Sequence, residues 1–454
     1  MADRLHEVLA QIPAPQADGP AQLEAKLALA AEAFGRHRTT SFAERSVKMI
    51  KAAEVLEAGA DRFADCITAE MGKPLAAARG EVLKCAFVCR YYAEQAEAML
   101  RDEPAASGFM HAFTRFQPLG TVLAIMPWNY PFWQVFRFAA PALMAGNTAL
   151  LKHASNVPRC AALIEEIFLH AGFEKGVFQS VYARSSAIAP AIADDRIAAV
   201  TLTGSEGAGK AVGSAAGAAI KKVVLELGGS DPFIIMPSAE LEKALPAAVS
   251  ARMMNNGQSC IGAKRILLHA SIYDKALAEL EARIAALRVG DPFDPATDIG
   301  PLALPEFADE LEDQVARAVV AGGRLLVGGK RSPRGPAFYE PTLLVDVPRT
   351  AAIAREEFFG PVMMVFRFET IEEAISLANE TPFGLGSSVW TAERDEQLRF
   401  AHEIDAGQVF INAITASDPR IPFGGIKRSG IGRELGVYGI REFTNIKTVA
   451  FGGC

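Results

Sequence analysis

The sequence is poor in the residues that build metal sites and disulfide frameworks, with six cysteines and seven histidines among 454 residues. No two cysteines have the CxxC spacing of redox and zinc motifs, and the histidines form no HExxH cluster, so we predict no catalytic metal. A disulfide framework is not expected in a chain so long and so poor in thiols. This scarcity favours a reducing compartment and a cytoplasmic location.

Long apolar segments and an excess of positive charge are also missing. No stretch reaches about 18 uninterrupted apolar residues, and the N-terminal segment MADRLHEVLAQIPAPQ has no apolar core, so we expect neither a membrane span nor a signal peptide. The net charge of −7 at pH 7 disfavours nucleic acid or an anionic membrane as a partner. With 50% hydrophobic and 22% charged residues, the composition is typical of a folded globular protein.

The predicted elements divide the chain into a helical part and two sets of strands, and at ~150 residues per domain the length suggests about three domains or subdomains. Residues from about 20 to 100 have apolar positions at helical spacing, and the aromatic, alternating residues 104–120 predict an extended ribbon. Strands alternating with helices follow up to about residue 230: TVLAIMP, NTALLKHAS, VFQSVYA, DDRIAAVTLTGS and KKVVLELGG. A second set then begins: PFIIM, RILLHA, PTLLVDV and PVMMVFRF. This alternation predicts an α/β fold in which helices flank a parallel sheet.

Cys260, in MNNGQSCIGAKR, is the strongest candidate for a catalytic residue, because Glu226 in LELGGSDPF stands 34 positions before it. A thiol is a good nucleophile only as thiolate, and a free cysteine with a pKa of ~8.5 is mostly protonated at neutral pH. A glutamate could take a proton either from the thiol or from a water that attacks later. Taken alone, Cys260 would more often be a buried structural cysteine and Glu226 an ordinary surface glutamate, but the surrounding motifs favour the catalytic interpretation.

A second motif, VTLTGSEGAGK, places Thr203, Gly204 and Ser205 after a strand, and Gly209 at the opening of a helix. The free N–H groups and the dipole of such a helix start favour a phosphate. The spacing departs from GxGxxG, so the standard dinucleotide fingerprint is absent. A tight turn that needs glycine for packing is the alternative interpretation.

The segment LLKHASN puts Lys152 and Ser155 just past a strand, which is the ligand side of an open α/β sheet. Lys152 could reach ribose hydroxyls or a phosphate, although a solvated lysine at a strand end would look the same. The following helix, in SNVPRCAALIEEIFLHAGF, is predicted to start with a Ser or Asn cap and a proline.

Three further segments carry candidate groups. In MPWNYPF, the Asn129 amide could donate to a developing oxyanion, or it could simply form the turn before Pro131. In EEFFGPV, Glu357 could bind ribose hydroxyls and Phe359 could hold a flat ring, or both could belong to an ordinary turn. The glycine-dense PFGGIKRSGIGRELG suggests close backbone packing beside a site, and its role as a ligand contact stays open.

In this order the motifs resemble those of the aldehyde dehydrogenase superfamily, and the resemblance covers nearly the whole chain. Within that superfamily the chain looks most like bacterial succinate-semialdehyde dehydrogenases with short N-termini and KHA in place of KPA. The matching motifs are PWN at 127–129, LLKHAS at 150–155, TGS at 203–205, LELGG at 225–229, GQSC at 257–260, EEFFGPV at 356–362 and PFGG at 422–425.

The resemblance implies a subunit with three parts and a homodimer or homotetramer. The expected parts are a Rossmann-like cofactor-binding domain, an α/β catalytic domain and an oligomerisation ribbon that pairs with a neighbouring subunit. Their expected ranges are 1–103 and 121–229 for the first, 230–437 for the second, and 104–120 with 438–454 for the third.

The resemblance also implies oxidation of an aldehyde to a carboxylic acid with NAD or NADP, and succinate semialdehyde is the expected substrate. Cys260 would attack the aldehyde carbon and pass through a thiohemiacetal and a thioester. Asn129 would hold the oxyanion, and Glu226 would activate the water that releases the acid. The residues expected to bind the cofactor are Trp128, Lys152, Ser155, Thr203, Gly204, Ser205, Gly209, Leu227, Glu357 and Phe359.

Three departures from the family pattern bear on specificity. Ser155 stands where members that prefer NAD carry a glutamate that would repel a 2′-phosphate, so we expect NADP to be tolerated or preferred. Arg137 matches an arginine that binds the substrate carboxylate, whereas a second such arginine is replaced by Met254, for which Arg420 could compensate. A lysine of many relatives is replaced by Phe138, which puts a proton relay through Glu434 in doubt.

Three alternatives stay open on the sequence alone. One is a dehydrogenase of broad range for uncharged aldehydes. A CoA-acylating dehydrogenase is disfavoured, because such relatives usually lack the glutamate that stands here at 226. A catalytically idle structural or binding protein is disfavoured by the presence of Cys260, Glu226 and Asn129 together.

Overall fold

The computed structural model describes residues 2–452, which fold into helices on a mixed set of three β-sheets. The α-helices are α1 (Ala2–Gln11), α2 (Pro20–His37), α3 (Phe42–Ala58), α4 (Ala60–Met71), α5 (Leu75–Met99), α6 (Trp133–Met144), α7 (Pro158–His170), α8 (Ile188–Ala193), α9 (Glu206–Ala218), α10 (Leu241–Met253), α11 (Tyr273–Ala285), α12 (Pro305–Val320), α13 (Ile371–Asn379), α14 (Arg394–Glu403) and α15 (Gly436–Glu442). The strands are β1 (Glu103–Pro104), β2 (His111–Pro118), β3 (Thr121–Met126), β4 (Thr148–His153), β5 (Phe178–Ser180), β6 (Ile197–Thr203), β7 (Lys222–Glu226), β8 (Pro232–Ile235), β9 (Arg265–His269), β10 (Arg324–Val327), β11 (Thr342–Val345), β12 (Val362–Phe368), β13 (Ser388–Trp390), β14 (Phe410–Ile411), β15 (Gly430–Ile431) and β16 (Thr444–Phe451).

The predicted helical region from 20 to 100 is confirmed as α2 to α5. Helix α3 begins with a capping box, in which the Ser41 hydroxyl accepts from the Glu44 N–H and the Glu44 carboxylate accepts from the Ser41 N–H. Helix α4 ends at Gly72, whose φ of 81° is in the left-handed region that glycine adopts without penalty. These helices pack their buried faces on α6 and α7, and so fix the position of the segment around Asn129.

The six-stranded sheet has the order β15-β7-β6-β3-β4-β5, and its strands are parallel except for β15. The chain runs outward from β3 to β4 and β5 and then returns to β6, on the other side of β3. In open α/β sheets, the crevice beyond the carboxyl ends of strands at such a reversal is the usual place for a ligand. The segments after β3 and β6, which begin at Pro127 and Gly204, therefore flank a candidate binding crevice.

The start of α7 differs from the prediction. The expected Ser or Asn cap is wrong, because the N-cap residue is Val157 and no side chain of its own segment caps the helix. The Glu70 carboxylate of α4 accepts from the Arg159 and Cys160 N–H groups instead. A carboxylate at a helix start satisfies free N–H groups and complements the dipole, so a neighbouring helix supplies the cap.

The seven-stranded sheet has the order β10-β11-β12-β9-β8-β13-β14, and it is parallel apart from β10. It contains all four strands predicted after residue 230. Strands β9 and β8 lie at its centre, so the loop before β9, which carries Cys260, is held against a rigid support.

The predicted ribbon is confirmed as antiparallel strands β1, β2 and β16, with β2 and β16 paired along eight residues. Strand β15 lies within 230–437, yet it joins the six-stranded sheet. The division into three domains stays a prediction, and Cys454, in the expected ribbon range, lies outside the described residues. Among residues 2–452, no helix is both long and apolar enough to cross a membrane.

Candidate active site

The segments that follow β3, β6 and β7 meet the loop of Cys260 around one cavity of about 250 Å³. Because β3, β6 and β7 are parallel neighbours, their carboxyl ends lie at one edge of the sheet. The cavity is lined by Pro127, Trp128, Asn129, Gln134, Thr203, Gly204, Ser205, Leu227, Gly228, Cys260, Phe307, Glu310, Glu357 and Phe359. It therefore brings together nine of the predicted site residues: Trp128, Asn129, Thr203, Gly204, Ser205, Leu227, Cys260, Glu357 and Phe359.

The loop that carries Cys260 has an unusual backbone. Asn255, Asn256 and Gly257 all have positive φ, at 56°, 57° and 72°. A left-handed conformation at an ordinary residue costs of order 1 kcal/mol, and asparagine tolerates it best after glycine. At Gly257 a Cβ atom would clash with the backbone of Gly360, so only glycine fits there.

One side chain of the loop itself and one from α10 hold this loop in place. The Asn255 amide donates to the carbonyls of Asn129 and Gln258, at 2.8 and 2.9 Å. Arg252, at the end of α10, is fully buried and donates to the Gly257 carbonyl at 3.2 Å. The strained backbone is therefore fixed by surrounding hydrogen bonds, as is common where a fold presents a reactive group.

Cys260 is partly exposed and lines the cavity. Burial raises the pKa of the Cys260 thiol to about 11, and the positive charges of Lys264 and Arg137 oppose that rise. The Lys264 ammonium donates to the carbonyls of Ser259 and Cys260, at 2.7 and 2.5 Å. A thiolate at Cys260 would thus form beside a fixed cation, which lowers its cost.

Asn129 lines the same cavity as Cys260 and lies at the turn after β3. Its side chain is 4% exposed, and its Nδ2 donates to the Gln258 carbonyl at 3.1 Å. One amide hydrogen is thereby fixed, and an amide has a second one that can point elsewhere. The turn between β3 and α6 therefore places the Asn129 amide, a hydrogen-bond donor, in the same cavity as Cys260.

Glu226 ends β7 and is buried in the interior. Its exposure is 2%, and no donor among the described residues reaches either carboxylate oxygen. Gly424 packs so closely that an added Cβ would lie 2.6 Å from Oε1. Burial raises the pKa of Glu226 well above its ordinary value, the Arg137 charge opposes the rise, and the neighbouring Glu434 adds to it. A carboxyl group without partners and with a raised pKa suits proton transfer.

Arg137 is 1% exposed and, like Glu226, is not among the residues that line the cavity. Its Nε forms an ion pair with Glu434, and Nη2 donates to the Thr203 hydroxyl at 3.3 Å. Neither contact uses Nη1. Arg420, the other predicted substrate residue, lies at the surface outside the cavity lining, where it pairs with Asp418.

The opposite wall of the cavity is aromatic and apolar. The Trp128 ring stacks on Phe307 with centroids 4.7 Å apart, and it meets Phe359 edge to face at 5.8 Å. Leu227 completes this wall, and a Cβ at Gly209 would lie 2.6 Å from Leu227 Cδ1. Gly209 thus packs closely under Leu227, and a direct ligand contact for it stays a prediction.

Glu357 reaches the cavity from the loop before β12. Its Oε1 accepts from the Gly229 N–H at 3.1 Å and pairs with Lys264 at 2.9 Å. Gly228 is needed beside it, because an added Cβ would clash with Oε2. The same lysine therefore contacts both the backbone of Cys260 and a carboxylate aimed into the cavity.

Helix α9 begins at the cavity with a capped N-terminus. Ser205 is the N-cap residue, and its hydroxyl accepts from the Ala208 N–H at 3.3 Å. Lys152, at the end of β4, is half-buried, and Ser155 just beyond it is exposed. Burial lowers the pKa of Lys152. These two residues lie outside the cavity lining, on the side of β4.

The sequence prediction missed four residues that shape the site. Gln134, Phe307 and Glu310 line the cavity, and Lys264 lies behind it. Phe307 and Glu310 belong to α12, more than 40 residues from any recognised motif on its N-terminal side. Lys264 stands four positions after Cys260, so its proximity to the motif could have drawn attention to it.

The chain belongs to the aldehyde dehydrogenase family, whose profile matches residues 4–449. A succinate-semialdehyde dehydrogenase (NADP+) of Mycobacterium tuberculosis is 55% identical over 431 residues, which is 94% of both chains. A probable succinate-semialdehyde dehydrogenase (NADP+) of Synechocystis is 54% identical over 428 residues, again 94% of both. The crystal structure of succinic semialdehyde dehydrogenase from Streptococcus pyogenes with NADP+ has a TM-score of 0.94, with 33% identity and 97% of both chains covered. The fold is therefore that of an aldehyde dehydrogenase.

Proposed function

We propose that this aldehyde dehydrogenase oxidises succinate semialdehyde to succinate with NADP. The single observation that carries the proposal is that Cys260 and Asn129 line one pocket, while the partnerless carboxyl group of Glu226 lies buried directly before the pocket residues Leu227 and Gly228. The relatives named above support the choice of substrate and cofactor.

The crevice fits a dinucleotide. The N-terminus of α9, capped by Ser205, offers N–H groups to a diphosphate, and Glu357 and Lys152 supply groups for ribose hydroxyls. Trp128 and Phe359 supply the aromatic wall for a flat ring. Ser155 brings no negative charge to the end of β4, so a 2′-phosphate meets no repulsion there. When bound, NADP supplies the acceptor for hydride.

Cys260 begins the reaction as a thiolate. Its sulfur forms a bond to the aldehyde carbon, and the carbonyl π electrons move to the oxygen. The Asn129 amide and the Cys260 N–H hold that oxyanion, which is the interaction that strengthens as charge develops. When the oxyanion collapses and hydride leaves, a thioester on Cys260 remains.

Glu226 completes the reaction by taking a proton from water. The water oxygen attacks the thioester carbon, the carbon–sulfur bond breaks, and Cys260 returns as thiolate while the acid departs. A raised pKa makes Glu226 a stronger base once it is ionised, and the Arg137 charge favours that ionised form.

The substrate carboxylate is assigned to Arg137, with Arg420 nearer the surface. Arg137 lies close enough to Cys260 to oppose the rise of its pKa, and its Nη1 is free of the contacts to Glu434 and Thr203. A guanidinium is well suited to a carboxylate because of its planar array of donors.

We assign oligomerisation to the ribbon of β1, β2 and β16. Its residues Met110, Ile446 and Phe451 are exposed apolar side chains on an antiparallel ribbon. Such surfaces are typical of contacts between subunits, and a homodimer or homotetramer in the cytoplasm is our expectation. Light scattering of the purified protein would test the oligomer, and Ile446→Lys should shift it toward the monomer.

Initial rates with succinate semialdehyde, butyraldehyde and benzaldehyde, each with NAD and with NADP, test the proposed function. We expect a large kcat/KM advantage for succinate semialdehyde with NADP. Equal or better rates with the neutral aldehydes would favour a dehydrogenase of broad range. Formation of acyl-CoA on addition of CoA would favour an acylating enzyme instead.

A further inference from the structure

The histidine of the KHA segment, His153, lies at the end of β4 and contacts the turn that carries Asn129. It is 6% exposed, and its Nε2 lies 2.8 Å from the Pro131 carbonyl oxygen. Its Nδ1 lies 3.2 Å from the Met126 carbonyl oxygen, and the Ala154 N–H donates to this nitrogen at 2.9 Å. Because Met126 ends β3 and Pro131 precedes α6, the ring spans the turn from one end to the other.

The hydrogen bonds assign the proton of this ring to Nε2. Burial lowers the pKa of His153 to about 4, so the ring is neutral at physiological pH and has a single N–H group. A proton on Nδ1 would leave two acceptors, Nε2 and the Pro131 oxygen, facing each other at 2.8 Å. A proton on Nε2 lets the ring donate to Pro131 and lets Nδ1 accept from Ala154. The Met126 carbonyl needs no donor from the ring, because it accepts from the Ala154 N–H at 2.9 Å.

The Pro131 carbonyl takes its donor from this ring because of the way in which α6 begins. In a regular helix the carbonyl would accept from the N–H group four positions later, which belongs to Val135. Here the Val135 N–H donates to the Phe132 carbonyl at 3.1 Å. Pro131 is buried, and a buried carbonyl without a donor is costly. The imidazole of His153 therefore completes the hydrogen bonding of the turn.

Two further contacts fix the turn around Asn129. The Glu81 carboxylate accepts from two N–H groups at the start of α6, at 2.8 and 2.9 Å. The Asn255 amide, just after α10, donates to the Asn129 carbonyl at 2.8 Å. His153 holds the carbonyl group that lies between these two positions in the chain. Neighbours from three different parts of the fold thus fix the backbone next to the Asn129 side chain.

The residue type at position 153 decides whether the contact to Pro131 exists. A chain with KPA in place of KHA has proline at this position, and a proline ring carries no hydrogen-bond donor. His153 also lies between Lys152 and Ser155, two residues proposed for the cofactor. The contact therefore connects the cofactor side of β4 to the turn that carries the oxyanion donor.

We propose that His153 is a positioning residue for Asn129. Its Nε2–H holds the Pro131 carbonyl and so keeps the turn in the conformation that directs the Asn129 amide to the oxyanion. This inference rests on the proposed function, because it requires Asn129 to hold that oxyanion. A shift of a catalytic group by about 1 Å can cost about 10²-fold in rate, so a single hydrogen bond to the turn has a measurable effect.

The test is the single-turnover rate constant for formation of reduced cofactor, measured with enzyme in excess over the aldehyde and with saturating NADP. His153→Asn removes the donor at the Nε2 position, whereas His153→Gln keeps one there because glutamine is longer by one carbon. We expect His153→Asn to lower the rate constant about tenfold and His153→Gln to keep it within about threefold of the wild type. The KM for NADP should stay within about threefold in both variants. Thermal midpoints compare their folding.

A double-mutant cycle with Asn129→Ala adds a readout that a merely structural role would not move. If His153 acts through Asn129, His153→Asn should cost less than about twofold once residue 129 is alanine, because the amide that it positions is gone. A structural role would lower the rate constant by the same factor in both backgrounds. The aldehyde used is whichever of succinate semialdehyde, butyraldehyde and benzaldehyde gives the highest kcat/KM, so the result does not depend on the proposed substrate.

The outcomes separate this inference from the proposed function. A wild-type rate constant in Asn129→Ala would contradict the proposed oxyanion role, and this inference with it. A clear loss in Asn129→Ala with none in His153→Asn would overturn the role of His153 alone. Equal losses from His153→Asn in both backgrounds, or a His153→Gln variant as slow as His153→Asn, would also overturn that role.

Discussion

Two buried ionisable side chains of this protein, Arg252 and Glu226, have opposite surroundings. Arg252 donates to four backbone carbonyls, those of Gly257, Phe358, Gly360 and Val362. Neither oxygen of Glu226 receives a hydrogen bond from the described residues. A buried polar group without a partner costs of order 1–3 kcal/mol, so the fold is less stable for holding Glu226. The satisfied charge of Arg252 fixes the loop of Cys260, and the unsatisfied carboxyl group of Glu226 is the group that we propose for proton transfer.

Two buried asparagines, Asn129 and Asn147, also differ in whether their hydrogen bonds serve the fold or the pocket. Replacement of Asn129 gives the largest expected loss of activity. Asn129 lines the pocket and its amide donates to the Gln258 carbonyl, whereas Asn147 donates to the Phe443 carbonyl and accepts from the Gly120 N–H. We expect Asn129→Ala to lower kcat by about 10²–10³ because it removes an oxyanion donor. Asn147→Ala should lower the thermal midpoint and leave kcat of the folded enzyme within about threefold. Steady-state rates and thermal melts of both variants check these expectations. Similar kcat values in the two variants would contradict the different roles of Asn129 and Asn147.

Replacement of Arg252 should lower the free energy of unfolding. Arg252→Met leaves four carbonyls without their donor, so we expect a loss of at least about 3 kcal/mol in the free energy of unfolding. The control is Arg62→Met, which removes an exposed pair with Glu166 and should cost less than about 1 kcal/mol. Urea unfolding followed by fluorescence measures both. An Arg252→Met midpoint as high as that of the control would show that its hydrogen bonds do not support the fold.

The thiols of Cys260 and Cys160 should differ in how fast they are alkylated and in how that rate depends on pH. The pKa of Cys260 is raised to about 11, so the thiolate fraction in the free enzyme should rise about tenfold per pH unit between about pH 7 and 9. Alkylation by iodoacetamide, followed by mass spectrometry of the peptides, should show that slope at Cys260. Cys160 is fully buried, and we expect it to stay unmodified. A flat rate at Cys260 would mean that its thiolate is already formed in the free enzyme.

A charge introduced at Ser155 should have the smallest effect on activity, because this residue is exposed and charges interact weakly in water. Ser155→Glu should lower kcat/KM for NADP about tenfold, by repulsion of the 2′-phosphate, and leave NAD nearly unchanged. Ser155→Gln has the same shape without the charge and serves as the control. An equal loss for both cofactors in Ser155→Glu would indicate steric damage to the site.

The sequence predicted most strands correctly, and it singled out motif residues that the fold brings together, since strands and motifs have local patterns. Five strands from TVLAIMP to KKVVLELGG appear in the predicted order, and nine of the predicted site residues line the cavity. Residues whose role depends on long-range contacts had no such pattern. Phe307 and Glu310 belong to an amphipathic helix without a recognised motif, and only the fold brings them to the cavity. The Glu70 cap of α7 escaped for the same reason, because the helix and its cap are 89 residues apart in sequence.

The central claim is that Glu226 without partners is kept for proton transfer, and a transient measurement on Glu226→Gln tests it most directly. We expect a burst of reduced cofactor equal to the number of active sites, followed by turnover slower by about 10²–10⁴, since thioester formation survives and its hydrolysis lacks a base. The thermal midpoint should stay the same or rise. Wild-type turnover in Glu226→Gln, or loss of the burst itself, would contradict the account.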